Sequence, residues 1–215
     1  MTITVTQTSN GFMSTIESVC VYCGSSNGRD ERHFQAGLTL GRSLAEARLR
    51  LIYGAGTKGI MGAVARGTMD AGGTVTGIIP KFLIRREANE VDLAELDELI
   101  VTEDMHQRKH TMFERSDAFV ALPGGIGTLE EIVEIMTWAQ LARHEKPTVF
   151  ANIGGFWNPL LTLVDHMKQE GFVHSGHRVR PIVVDQAQDI VPAILKAAAQ
   201  RASSNGEDQT VIDRL

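Results

Sequence analysis

The sequence predicts an α/β protein: one Rossmann-like, doubly wound domain with a mainly parallel sheet and helices on both faces. Three observations predict it. Short β-like runs alternate with helical patterns along the chain, the order produced by a parallel sheet and its crossover helices. Several β-like runs, such as Ala118 to Leu122 (AFVAL) and the LIYG run that ends at Gly54, are continuously apolar, as expected of strands covered on both faces. Finally, three glycine-rich turns each follow such a run, which places them on the carboxyl rim where these folds bind ligands.

The elements follow in order. Strands are expected at 18–23, 50–53, 74–79, 98–101, 117–122, 147–151 and 180–184, and helices at about 31–48, 60–71, 104–115, 128–142, 157–170 and 187–200. The stretches 1–15 and 202–215 are polar and aperiodic, so both are expected to be loose tails around a catalytic domain at 16–201. The chain of 215 residues suits one sizeable domain.

Composition excludes several classes. A net charge of −5 argues against general affinity for nucleic acid or anionic membrane. No apolar stretch approaches the roughly 20 residues of a membrane span, and the first fifteen residues lack the features of a signal peptide. A cytoplasmic protein is expected. Cys20 and Cys23 form C-x-x-C, but their separation in a strand sends the side chains to opposite faces. Two buried, reduced cysteines are expected rather than a redox pair or half a zinc site.

The turn Pro123-Gly124-Gly125-Ile126-Gly127-Thr128-Leu129-Glu130-Glu131 carries most of the chemistry. A strand, a glycine turn and a helix start together make an anion site, because the first helical N–H groups and the dipole point at the ligand. Two glutamates in the first helical turn are not needed to bind phosphate. Projection around the helix puts Glu130 and Glu134 on the polar arc, and Glu131 at its margin beside Ile135 and Trp138. Glu130 is therefore assigned to the helix dipole and Glu131 to a pocket.

The other two turns are Cys23-Gly24-Ser25-Ser26-Asn27-Gly28 and Gly54-Ala55-Gly56-Thr57-Lys58-Gly59. The second matches G-x-G-x-x-G, but the following strand, Thr74 to Lys81, ends without the acid that would hold a ribose hydroxyl. A nicotinamide enzyme is thereby a minor alternative. Upstream of the third turn, a helix beginning near Asp104 carries Arg108 and Lys109 on either side of the stripe Met105, Met112 and Ser116. Snorkelling at an apolar edge would explain both cations, yet their position beside an anion site favours ligand contact. His106 and His110 have metal-like i, i+4 spacing without a third ligand, and a surface or packing role is expected. Phe156 and Trp157 are expected in the core.

Together these segments resemble the LONELY GUY (LOG) family of cytokinin riboside 5′-monophosphate phosphoribohydrolases. The resemblance is carried by Met105-His106-Gln107-Arg108-Lys109 and by P-G-G-x-G-T-x-x-E from Pro123 to Glu131. Gly24-Ser25-Ser26, the run Gly54 to Gly62, and Thr137-Trp138-Ala139-Gln140 add to it. It implies hydrolysis of the N-glycosidic bond of an N6-substituted adenosine 5′-monophosphate, giving free base and ribose 5-phosphate. It also implies a homodimer with active sites near the subunit interface, and requires neither metal nor cofactor. Members often carry the label lysine decarboxylase, but no lysine here has a pyridoxal phosphate context.

Carried over by position, Arg108 and Glu131 match the catalytic pair. Lys109, Gly124, Gly125, Ile126, Gly127, Thr128, Leu129, Glu130 and Thr137 match substrate-binding positions, with Gly24, Ser25, Gly54 and Gly56 on the neighbouring turns. A further family glutamate falls on Glu90 without gaps, but the usual following Ala-His is Asp92-Leu93 here, so Glu87 competes for the role. Two alternatives remain: an AMP or general nucleotide 5′-monophosphate nucleosidase, and a nucleotide sensor without turnover.

Overall fold

In the computed structural model, residues 16–88, 90–173 and 180–212 are described, and of Glu90 and 204–212 only the backbone. The expected tail at 1–15 lies outside the described residues. Seven strands form one sheet: β1 (Ser18–Tyr22), β2 (Arg50–Tyr53), β3 (Val75–Pro80), β4 (Glu98–Thr102), β5 (Ala118–Ala121), β6 (Thr148–Ala151) and β7 (Ile182–Val184). Their order is β4-β3-β2-β1-β5-β6-β7, and every pairing is parallel. The chain winds outward in both directions from β1 and β5, which makes their junction the switch point where such sheets bind ligands.

Three helices cover one face: α1 (Glu31–Glu46), α2 (Gly59–Asp70) and α8 (Ile190–Ile212). They bury Leu40, Leu44, Ile60, Val64, Ile190 and Ile194 against Val19, Val21, Leu51, Tyr53 and Val120. The other face carries α5 (Met105–Glu114), α6 (Ile126–Gln140) and α7 (Asn158–Gln169), packing Met112, Phe113, Ile132, Ile135 and Trp157 against Cys20, Tyr22, Ile52, Phe119 and Phe150. Each such side chain, fully buried, contributes about 1.5–3 kcal/mol. The alternation that sends Val19 and Val21 to one face sends Cys20 to the other. Cys23 joins the first face, and both thiols are buried and free.

The two central strands are joined at both ends. Beside their amino ends Asp117 Oδ2 accepts from the backbone N–H of Glu17 and Ser18, each at 3.0 Å, and from Ser18 Oγ at 2.8 Å. At their carboxyl ends the N–H of Leu122 donates to Tyr22 O at 3.0 Å, and the N–H of Gly24 donates to Pro123 O at 3.1 Å.

Two differences from expectation have local causes. Between β3 and β4 the chain forms a 3-10 turn (Lys81–Leu83) and two short helices, α3 (Ile84–Glu87) and α4 (Glu90–Ala94), too short to show a helical period. At the other end, α8 continues to Ile212, past the end expected near 200, through a polar stretch that contains no proline to stop it. Among the described residues no helix is long and apolar enough to cross a membrane.

Candidate active site

All three glycine turns meet at the carboxyl end of β1 and β5. The first and third approach so closely that a Cβ on Gly24 would lie 3.3 Å from Gly124 Cα. The second turn locks beneath the first. Gly59 has φ +62°, and a Cβ there would overlap the backbone of Ser25 and Ser26, while the N–H of Met61 donates to Gly24 O at 3.1 Å. Only glycine tolerates both the positive φ and the contact.

Above this junction lies a cavity of about 340 Å³. Gly24, Ser25, Gly54, Gly125, Ile126, Gly127, Thr128, Glu130, Glu131 and Arg108 line it, all of them expected site residues. The third turn opens directly into α6, with Gly125 as its N-cap and no capping side chain. The first N–H groups of a helix lack intrahelical acceptors, so this end of α6 offers donors and a positive dipole to an anion. The helix begins at Ile126 rather than near 128, because glycine at 125 and 127 hides the start from a propensity reading.

Arg108 is buried in the wall. The N-cap Asp104, which accepts from Gln107 N at 2.8 Å, sets the phase of α5. Arg108 then reaches back under the sheet edge, donating from Nε to Ile78 O and from Nη2 to Gly54 O, each at 3.2 Å. No ion pair among the described residues engages it, so its charge is held by backbone carbonyls and presented to the cavity.

Glu131 lies beside it. Burial pushes its carboxyl up to about 7, opposed by Arg108, reinforced by Glu130 and Glu87, and opposed again by Lys109. An acid poised near neutrality in a cleft, next to a fixed cation, is characteristic of a reacting group. Glu87 adds a second carboxylate. It lines the same cavity, its Oε2 is buried without a hydrogen-bond partner, and its backbone carbonyl accepts from Thr57 N of the second turn at 3.0 Å. Of the two glutamates left open by the sequence, Glu87 is therefore the one shown in the cavity wall. The side chain of Glu90, which opens α4, lies outside the described residues.

Other expected site residues are placed differently. Lys109 does not line the cavity. Its Nζ pairs with Glu130 Oε1 at 2.6 Å and Glu134 Oε1 at 3.2 Å, so Glu130 has a cation partner as well as the helix dipole. Thr137 is exposed and donates back to Val133 O at 2.8 Å, beyond Glu131, the last residue of α6 to line the cavity. Leu129 packs into the core, Gly124 forms the contact with Gly24, and Gly56 accommodates the Met61 side chain. His106 and His110 are exposed. Trp157 is buried with Nε1 donating to Ala121 O at 3.1 Å, whereas Phe156, expected in the core beside it, is exposed. Sequence reasoning missed Met61, Leu83, Met105, Met112, Tyr22 and Cys23 as lining residues, because their apolar pattern is that of a core.

A larger cavity, of about 660 Å³, lies at the amino ends of β6 and β7 and includes His144, Lys146 and Arg180. Volume does not make it the site. Lys146 Nζ is committed to Phe113 O at 2.8 Å, and both His144 ring nitrogens to backbone groups.

Fold and site define a doubly wound α/β protein whose crevice at the switch point offers helix N–H groups, with a half-buried acid and a buried guanidinium in its wall. Comparison with known proteins gives that class a family. Residues 61–194 match the family described as "Possible lysine decarboxylase". The chain is 43% identical over 181 residues to the cytokinin riboside 5′-monophosphate phosphoribohydrolase of Rhodococcoides fascians, covering 84% of this chain and 90% of that one. It is 42% identical over 178 residues to cytokinin riboside 5′-monophosphate phosphoribohydrolase LOG7 of Arabidopsis thaliana, covering 83% and 81%. The chain belongs to this LOG family. Among solved structures, the molybdenum cofactor carrier protein of Chlamydomonas reinhardtii superposes with a TM-score of 0.62 at 19% identity, over 86% of this chain and 99% of that one, and shares the fold alone.

Proposed function

We propose that this chain hydrolyses the N-glycosidic bond of N6-substituted adenosine 5′-monophosphates, releasing the free base and ribose 5-phosphate. The observation that carries the reading is that Arg108 and Glu131 line one cavity floored by a glycine turn and a helix N-terminus. The identity of about 40% to phosphoribohydrolases over most of both chains supports the same activity. Among the described residues no lysine lines this cavity, whereas a pyridoxal phosphate decarboxylase requires one.

In this reading the 5′-phosphate sits on the N–H groups at the start of α6, with Thr128 and the Gly24-Ser25 turn around it. As C1′–N9 breaks, the bonding pair leaves with the base, which takes up a proton. Positive charge builds on the ribose, and the Glu131 carboxylate stabilises it or activates the water that adds to C1′. Glu87 supplies further negative charge on the same side. Arg108 orients the nucleotide or balances charge on phosphate or base. Met61, Leu83 and Met105 give the wall an apolar portion for the base.

The protein acts as a homodimer in the cytoplasm. Ile126, Val133 and Leu141, all exposed, fall with Thr137 on one outward stripe of α6, an apolar strip that begins at the cavity. Light scattering coupled to size exclusion should give twice the chain mass. Catalysis is tested by incubating the protein with isopentenyladenosine 5′-monophosphate and with AMP, then measuring free base and ribose 5-phosphate. Faster release from the prenylated nucleotide is expected. Faster release from AMP would make the protein a general nucleosidase, and no release from either would make it a nucleotide sensor.

A further inference from the structure

Among the described residues, Arg108 is anchored without a carboxylate. Its Nε donates to Ile78 O and its Nη2 to Gly54 O, each at 3.2 Å, and its Nη1 donates to the thioether of Met105, 3.7 Å away. A second sulfur stands close by: a Cβ on Gly54 would overlap Arg108 Nη2 and lie 3.4 Å from Met61 Sδ. Arginine carries five N–H donors in a planar fork. Three are taken here, which leaves one on each terminal nitrogen for a ligand. The contact with Met105 is set locally by the sequence. Asp104 caps α5 by accepting from Gln107 N at 2.8 Å, so Met105 is the first residue of the helix. Spacing of i, i+3 then puts its side chain beside Arg108. Met105 is half-buried and lines the cavity, where its apolar character alone would make it wall.

We propose that Met105 is a positioning residue for the reaction: its sulfur fixes the Nη1 corner of Arg108 and so aims the two remaining N–H groups into the cavity. The inference rests on the reading of Arg108 as one of the reacting pair. Chemistry says why a thioether serves at this place. A carboxylate there would bind the guanidinium strongly and bidentately, taking up the N–H groups and the charge that an anionic ligand needs. A leucine would fill the wall and leave the corner loose. A thioether is a weak acceptor. It orients the group and leaves its charge to the cavity.

The test sets acceptor against shape. Met105→Leu keeps the apolar volume and removes the acceptor, whereas Met105→Gln keeps the length and supplies a carbonyl oxygen. Both are assayed on isopentenyladenosine 5′-monophosphate. In Met105→Leu, kcat should fall about three- to tenfold, the scale of one modest hydrogen bond, with KM within about twofold of wild type. Met105→Gln should recover most of that loss, although it suits an apolar wall less well. A packing role predicts the reverse order, and a kcat for Met105→Leu equal to or above that of Met105→Gln overturns the proposal. A raised KM at unmoved kcat would mark Met105 as a wall contact only, and overturns it too. Should Met105→Leu not fold, Met105→Ala lacks the acceptor as well and takes its place with the same expectation. Arg108→Ala measured alongside separates the two readings. Full activity in that variant defeats the reacting pair itself, whereas its inactivity beside an unaltered Met105→Leu defeats only the sulfur contact.

Discussion

The guanidinium of Arg108 occupies the space that a Cβ on Gly54 would need, and its Nη2 donates to the Gly54 carbonyl at 3.2 Å. Gly54 is thus a glycine for the sake of a neighbour's side chain, not for its own backbone angle. Gly54→Ala should push aside the flexible end of Arg108 while the backbone stays in place. A kcat loss of about tenfold or more is expected, with a thermal midpoint close to wild type. Gly59→Ala should behave in the opposite way. Its Cβ would strike the backbone of Ser25 and Ser26 at φ +62°, which cannot yield cheaply, so a stability loss of roughly 1–3 kcal/mol is expected. Paired melting curves and turnover numbers check both.

Glu131→Gln keeps shape and removes the charge. Release of ribose 5-phosphate should fall by about 10²–10⁴, and wild-type kcat/KM should rise with pH through about 7 as Glu131 ionises. A wild-type profile flat between pH 5.5 and 8.5 (about 1.5 units either side) would contradict the assignment.

The same carboxyl makes a stability prediction of definite sign. In the fold Glu131 keeps its proton to about pH 7, against 4.5 for the unconstrained group. Between those values the folded state binds more protons than the unfolded one, so stability falls as pH rises. At full ionisation the loss is on the order of 3 kcal/mol. Glu131→Gln should therefore unfold at higher temperature than wild type above about pH 8, and the gap should close towards pH 4.5. Parallel melting curves for the two proteins would refute this.

His144 carries a pH dependence of the opposite sense. Its Nδ1 accepts from Lys146 N at 3.1 Å, which assigns the ring proton to Nε2, 2.9 Å from Ile135 O. Burial lowers its pKa below 6.5, against the Ile135 hydrogen bond and with help from Lys146 and Arg201. The unfolded chain therefore takes up the proton first, and the stability present above about pH 6.5 is lost as pH falls below it. His144→Gln should flatten that loss while costing about 1–3 kcal/mol at neutral pH. Urea unfolding at pH 5 and pH 7.5 measures it.

The five inner strands were legible because both of their faces are covered: a run such as Ala118–Ala121 is apolar throughout, and glycine follows its end. The short helices of 81–94 were not, since three to five residues show no period. At the site, Arg108 and Glu131 could be found because turn chemistry and helical phase both pointed to them. Lys109 could not be separated from Arg108, as one residue of helix turns a side chain by only about 100° and the deciding contacts come from α6. Glu87 has no local signal at all. A carboxylate in a short irregular segment becomes a site residue only when the second turn donates Thr57 N to its carbonyl and draws it inward.

Because backbone bonds from Leu122 to Tyr22 and from Gly24 to Pro123 close the carboxyl end of the β1–β5 seam, main chain sets the gauge of the crevice floor. Tolerance for ligands of different bulk is left to the walls, where Met61, Met105 and Met112 supply unbranched, polarisable side chains that refill a changed outline at little cost. The floor and the walls can thus vary independently: altered bases call for new wall residues, while the phosphate seat stays as it is.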